Sequence, residues 1–242
     1  MVPLTRHGFR EMLIGSLVLA IVAVGLGIAW WPLALIVLPL LIFLFAFFRD
    51  PHRGVPVEQH AMVSPADGTI SDITEIAHDD LLAGPAIRIG IFLSVFNVHI
   101  NRSPCDGRVG KVIYKKGKFI NAMYHDAASS DNESNTVLLV EPDTAQPIAV
   151  VKQIVGLIAR RIIFPLQTGD LVRRGDRIGM IKFGSRTELY IPKNLDPHIK
   201  VTIGQKVHGA TDILALLGNP IHSHSATSGT DFEPLIGRET PA

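Results

Sequence analysis

A mainly β (α+β) chain carrying an N-terminal hydrophobic membrane hairpin is the fold class this sequence predicts. Two observations carry that expectation. From Met12 to Phe48 there is no Asp, Glu, Lys or Arg. From about Arg49 onward the chain changes to short apolar runs of strand length, broken by glycine, proline and Asp-Gly. The division predicted is a membrane anchor over 1–48, a β-rich unit over 49–217 and a polar, disordered tail over 218–242.

The anchor comes first. A secretory signal has an apolar region of only about 7–15 residues, whereas one bilayer crossing needs roughly 20, and the uncharged stretch exceeds both. Gly25, Gly27 and Trp30-Trp31-Pro32 lie near its middle, where turn-forming and interface-seeking residues let it fold back as a hairpin of short legs. Arg6 and Arg10 precede it and Arg49 and Arg53 follow it. By the positive-inside rule both ends face the cytoplasm, so the expected location is the inner cell membrane with the remaining chain on its cytoplasmic side. A shallow re-entrant loop or a single tilted span fits the same residues.

In the β region, Ala86–Leu93 alternates and then turns fully apolar, and Val137–Val140 and Ile148–Val151 are similar runs. Asp106-Gly107 and Pro142-Asp143 supply turns. One outline occurs twice. Gly169-Asp170-Leu171-Val172-Arg173-Arg174-Gly175 and Gly204-Gln205-Lys206-Val207-His208-Gly209 each set a valine between turn glycines. Such units resemble the hairpins of lipoyl-like, barrel-sandwich-hybrid domains, where glycines take positive φ at corners and the valine enters the core. After Leu217 the chain is rich in Ser, Thr, His, Gly and Pro with little apolar periodicity, and no metal site is expected at His222 and His224.

Composition excludes several function classes. The formal charge of +1 offers nucleic acid no attractive field, and no basic stripe with interleaved aromatics is present. The single cysteine, Cys105, rules out an internal disulfide or a multi-cysteine zinc site and reads as a small packing residue.

Four segments hold the candidate chemistry. Ser64-Pro65-Ala66-Asp67-Gly68 is a tight turn. Phe96–Pro104 has more polar groups than a buried strand end tolerates without partners. Ser129–Asn135 reads by itself as a solvated polar loop. Phe183-Gly184-Ser185 forms a corner after an apolar strand, where Gly184 allows backbone torsions that bring its carbonyl near the Ser185 hydroxyl. The nucleophile elbow G-x-S-x-G is absent, since Phe183 stands two residues before the serine. Two rivals remain open on the residues alone: a serine hydrolase using Ser185 with His99 and Asp67, and a membrane-anchored binding or adaptor module without catalysis.

Together with the juxtamembrane Phe47-Phe48-Arg49-Asp50-Pro51, these segments in this order resemble the short-form bacterial and archaeal phosphatidylserine decarboxylases, from about Phe47 to Leu216. The resemblance implies a proenzyme that cuts itself between Gly184 and Ser185. It implies a pyruvoyl group made from Ser185, which takes the substrate amine as a Schiff base and serves as the electron sink, without metal or pyridoxal phosphate. The implied partners are phosphatidylserine in the membrane and the two pieces of the chain, a large and a small subunit forming a heterodimer; further oligomerisation is left open. His99 is the implied general acid or base, with Asp67 orienting or charge-stabilising it. Longer members place a second histidine three residues beyond the first, where this chain has Arg102. Arg102 and Arg186 are the expected grips on the substrate phosphate, each with a structural ion pair as the alternative. His125 and His198 have no motif support. Deleting Met1–Phe48 is expected to lower turnover on bilayer substrate but not self-cleavage.

Overall fold

The computed structural model describes residues 3–120, 125–156, 161–182 and 185–219. Its first helix, α1 (Phe9–Ala29), ends at Trp30, whose extended backbone turns the chain into α2 (Trp31–Ala34) and α3 (Val37–Phe47). The return is antiparallel. A Cβ on Gly27 would stand 3.8 Å from that of Ala34, one on Gly15 would meet a Leu44 methyl at 2.8 Å, and Gly8 abuts the Phe48 ring. Small residues thus let the two legs close on each other. The legs are unequal, a correction to the short ones expected: Arg6–Ala29 is long and apolar enough to cross a membrane, while Trp31–Phe47 is shorter. With 21 residues, α1 extends about 31 Å. Its outer surface is apolar on all sides, with Leu17, Ile21 and Ile28 exposed. At the base of the hairpin the entering and leaving strands meet, as Thr5 N–H donates to Phe48 O and Asp50 N–H to Pro3 O.

The β region contains β1 (Ala61–Val63), β2 (Gly68–Asp79), β3 (Gly84–Leu93), β4 (Ile100–Arg102) and β5 (Gly107–Lys115). After the short helix α4 (His125–Asp131) come β6 (Ser134–Val140), β7 (Pro147–Val155), β8 (Arg161–Ile163), β9 (Leu171–Val172) and β10 (Arg177–Lys182). The last strands are β11 (Ser185–Pro192), β12 (Pro197–Ile199), β13 (Lys206–Val207) and β14 (Ile213–Leu217). Eight of them form one antiparallel sheet in the order β13-β2-β3-β11-β7-β6-β5-β9, and two three-stranded sheets, β1-β14-β12 and β4-β10-β8, pack beside it.

The recurring glycine and valine outline explains the curl. Gly169, Gly175 and Gly204 all have positive φ, as the turns require. Val172 and Val207 lie on β9 and β13, the two edges of the large sheet, yet both are buried in one hydrophobic cluster with Ile91, Val137 and Leu189. Opposite edges can share a core only if the sheet bends round it, and the result is a curled antiparallel half-barrel. The expected tail lies outside the described residues from 220 onward.

Candidate active site

Strand β11 begins at Ser185 in the middle of the large sheet. Ser185 pairs with Leu93 of β3 on one side and Val155 of β7 on the other. It has no solvent exposure, and its Oγ has no hydrogen-bond partner among the described residues. A buried hydroxyl without a partner costs about 1–3 kcal/mol, so its retention calls for a reason other than stability. Phe183 and Gly184 lie outside the described residues.

Strand alternation sorts the neighbours of Ser185 into two faces. Thr187 and Leu189 share its face, and Leu189 reaches the main core. Along that face runs a buried polar row. Asn101 Nδ2 donates to Thr187 Oγ1 at 2.9 Å, Gln153 Nε2 to Asn101 Oδ1 at 2.9 Å, and Asn135 Nδ2 to Gln153 Oε1 at 3.0 Å. Gly179 is small to accommodate it: a Cβ there would come within 2.8 Å of Gln153 Nε2. This row ties β4, β6, β7 and β11 together two residues from Ser185.

On the other face of β11, Arg186 and Glu188 are fully buried. Arg186 Nε donates to Glu188 at 2.8 Å, while Nη1 and Nη2 donate to Ser71 and Asp72 at 2.5 Å each. Gly90 leaves room for that guanidinium, since a Cβ would collide with it. Lys152 reaches in from β7 to bond Ser129 O at 2.7 Å, and burial lowers its pKa. Asp72 is held below the usual carboxylate range by Arg186 at its side, although its burial acts in the opposite sense and is the larger influence. The ion-pair alternative is therefore the one the geometry gives Arg186: it faces away from Ser185 and is enclosed.

His99 immediately precedes β4 and has no solvent exposure. Its backbone carbonyl accepts from Ile181 N at 3.2 Å, which sets it beside β10, the strand that ends at Lys182 shortly before Ser185. Its ring lies against Phe47, with centroids 4.5 Å apart, and Nδ1 is 3.0 Å from Asn97 O. A carbonyl can only accept, so Nδ1 carries the proton in the neutral ring and Nε2 keeps its lone pair. Burial lowers the His99 pKa from 6.5 to about 4; the Asn97 hydrogen bond opposes this and Arg49 adds to it.

Asp67 does not pair with this imidazole. Its Oδ2 accepts from Arg53 at 2.6 Å and its Oδ1 from Gly209 N at 2.7 Å. The turn that carries it nonetheless docks on the His99 segment, because Pro65 O accepts from Arg102 N at 2.9 Å. Arg102 is engaged as well. It donates to Asp50 Oδ1 at 2.9 Å, Gly175 O at 3.0 Å and Pro51 O at 3.1 Å, and Asp50 also takes Arg177. Neither expected phosphate grip is thus free. His198 stands at the surface beside Asp196, and Cys105 is buried, with its thiol pKa pushed up by that burial.

The polar loop expected over Ser129–Asn135 is instead packed. Asn132 is fully buried, donating to Ile120 O and Val155 O and accepting from Ile120 N, each at 2.8 Å. Val155 N–H donates to Glu133 O at 3.1 Å. Asn132-Glu133 therefore clasps the end of β7 that flanks Ser185. The segment Phe47–Pro51 that follows the apolar hairpin reaches the same place, with Phe47 on His99, Arg49 Nη2 donating to Phe96 O at 2.7 Å, and Asp50 on Arg102.

The comparisons with known proteins agree with that convergence. A model of the family described as phosphatidylserine decarboxylase matches residues 40–215. The chain belongs to the phosphatidylserine decarboxylase family. It is 43% identical over 213 residues to a phosphatidylserine decarboxylase proenzyme of Rhodopirellula baltica, covering 88% of each chain. It is 42% identical over 190 residues to one of Carboxydothermus hydrogenoformans, covering 78% of this chain and 86% of the relative. A third, of Paraburkholderia phymatum, is 41% identical over 216 residues, covering 88% and 97%. In this family setting the chain is an enzyme, a decarboxylase, and its relatives carry the name of proenzymes.

Sequence reasoning missed Gln153, Thr187, Lys182 and Glu11. The first two carried a readable signal, being polar residues on the inward parity of otherwise apolar strands. Lys182, buried, donates to Glu11 of α1 at 2.5 Å, a pairing across 171 positions that no local pattern announces.

Proposed function

We propose that this chain matures by cutting itself at Gly184–Ser185 and then decarboxylates phosphatidylserine to phosphatidylethanolamine. The observation that carries the reading is the buried Ser185 hydroxyl, without a hydrogen-bond partner among the described residues, at the first residue of a strand fixed on both sides. A nucleophile must be desolvated and held near its target, and this one attacks the carbonyl of the residue just before it. The new C–O bond forms as the Gly184–Ser185 C–N bond breaks, giving an ester with the Ser185 amine released. His99, neutral with its lone pair on Nε2, is the base assigned to take the hydroxyl proton and return it to that amine.

Removal of the Ser185 α-proton then expels Gly184 as a carboxylate and leaves a dehydroalanine at the new N-terminus. Its tautomer takes up one water and loses ammonia, producing the pyruvoyl group. That group supplies an electron sink for the pair left behind by carbon dioxide. The chain's own residues hold the pieces in register: β3 and β7 keep β11 in place after the cut, and the Asn135–Gln153–Asn101–Thr187 row fixes its first turn of side chains. A large subunit ending at Gly184 and a small one beginning at residue 185 stay paired as a heterodimer through these ladders. Asp67, clamped by Arg53 and Gly209 N–H, positions the turn on which Arg102 and Asn101 rest.

The apolar hairpin is assigned to the membrane, with both ends and the β region on the cytoplasmic side. Its exposed leucines and isoleucines, and Phe96 of the β region packed edge-on against Phe43, support that seat. Lipid then stays in its leaflet while its head group enters the site, avoiding extraction at about 0.8 kcal/mol per methylene.

Denaturing electrophoresis with intact mass measurement tests the reading. Active protein should give two pieces divided at Gly184–Ser185, the smaller blocked by pyruvoyl, and Ser185→Ala should remain one inactive chain. Active protein that is a single uncut chain, or normal processing of Ser185→Ala, overturns it. A hydrolase would instead stay intact and react with a fluorophosphonate probe.

A further inference from the structure

We propose that Arg161, which lines a cavity reached along the inner face from Ser185, is the specificity residue that grips the phosphodiester of the substrate; this rests on the decarboxylase reading above. The need for such a residue arises from the geometry. Arg102 is held by Asp50 and two carbonyls, Arg186 is enclosed on the far face of β11, and Lys182 is paired with Glu11. A phosphodiester anion drawn toward a buried site requires a cation that none of these three supplies.

Arg161 opens β8, whose register sets it opposite Lys182, two residues before Gly184. Its side chain is exposed and lies within electrostatic reach of Glu11, the carboxylate that Lys182 holds. A cavity of about 290 Å³ lies against it, lined also by Val112, Tyr114, Asn135, Phe164 and Leu166. Asn135 forms its polar wall, its Nδ2 leading through Gln153 and Asn101 to Thr187. Asn135, Gln153 and Thr187 are lateral neighbours across β6, β7 and β11, and Ser185 is two residues further along the same face. Strand spacing and rise place the Ser185 and Asn135 backbones about 12 Å apart. A head group extended from residue 185 therefore runs along the inner face toward this cavity. Its phosphate meets the forked guanidinium, and the first apolar atoms beyond it meet Val112, Phe164 and Leu166.

The ligand class is a glycerophosphoester of an amino acid, recognised by charge and fork geometry at its phosphate. A bare phosphate ion has the same charge, so the test separates the two.

The test uses the full chain in vesicles, with Arg161→Gln and Arg161→Lys. Intact mass should show both variants cleaved and blocked like the unaltered protein. For phosphatidylserine, Arg161→Gln should raise KM at least tenfold with kcat within about twofold, and Arg161→Lys should recover part of the loss. Reductive trapping at residue 185 should favour glycerophosphoserine over serine methyl ester in the unaltered chain and lose that preference in Arg161→Gln. Inorganic phosphate, lacking the serine and glycerol arms, should inhibit the unaltered chain far less than glycerophosphoserine does. An unchanged KM, retained preference, equal inhibition by both probes, or a variant that fails to cleave each overturns the assignment. An unaltered chain that neither cleaves nor decarboxylates overturns the underlying reading instead.

Discussion

Opening His99 to water is the perturbation that most sharply tests its assigned role, and Phe47→Ala does it. Phe47 is 1% exposed and its ring covers the imidazole at 4.5 Å. Burial is the main cause of the descent of the His99 pKa from 6.5 to about 4, a difference of about 3 kcal/mol between its protonation states. The sign follows directly. Because the folded pKa is depressed, the unfolded chain takes up the proton first, so the full stability is present above about pH 6.5 and is lost progressively as pH falls toward 4. The base form persists over the same range in the folded protein. At pH of about 5.5 a group with pKa near 4 is almost wholly neutral, whereas one restored to 6.5 is only about one-tenth neutral. Self-cleavage of the unaltered precursor should thus hold level from neutral pH down to about pH 5. In Phe47→Ala it should fall up to tenfold at about pH 5.5 relative to its own neutral rate. Truncation also costs about 3–5 kcal/mol of packing, so Phe47→Leu is the companion that keeps most of the volume and should give an intermediate shift. Precursor made by cell-free translation onto vesicles is moved into buffers across this range, and the small subunit is followed by electrophoresis. An acid limb centred near 6.5 in the unaltered chain, or an identical profile in Phe47→Ala, refutes the reasoning.

Deleting Met1–Phe48 should abolish self-cleavage as well as turnover, a revision of the reading from sequence alone, because the deletion strips Phe47 and Phe48 from their cluster with Val98, Ile100 and Met180 and removes the Glu11 partner of Lys182. Pulse labelling checks this, and processing at an unaltered rate in the truncated chain would count against it. Arg186→Met should lower stability by about 3–5 kcal/mol, since Glu188 and Asp72 lose their buried counter-charge. Thermal unfolding of the vesicle-bound protein reads the loss, and a Tm within a degree of the unaltered chain would show that the cluster is not held by this guanidinium.

What was legible in the sequence follows from how local each cause is. A positive φ is a property of one residue, so the turns at Gly169, Gly175 and Gly204 were readable, and with them the buried Val172 and Val207. The hairpin was readable because charge is absent from Met12 to Phe48 and Trp30-Trp31-Pro32 mark the fold-back, but its unequal legs were not, as α1 already starts at Phe9 and takes in the charged Arg10 and Glu11. The packed state of Asn132 was hidden because its partners, Ile120 and Val155, come from two other segments. Arg186 is the instructive case. In a strand, adjacent residues point to opposite faces, so a one-residue step from Ser185 is enough to put a side chain on the wrong side of the sheet. Had Ser185 been placed inward at the start of a strand, parity alone would have required Arg186 to point outward, away from any substrate held there. The same parity, continued by two residues, names Thr187 as the inward neighbour. Applied across the ladder, it selects Gln153 and Asn135 as that neighbour's row. The site was thus recoverable one step further than motif reading took it, up to the point where pairing register, which only the folded chain supplies, decides which strands stand side by side.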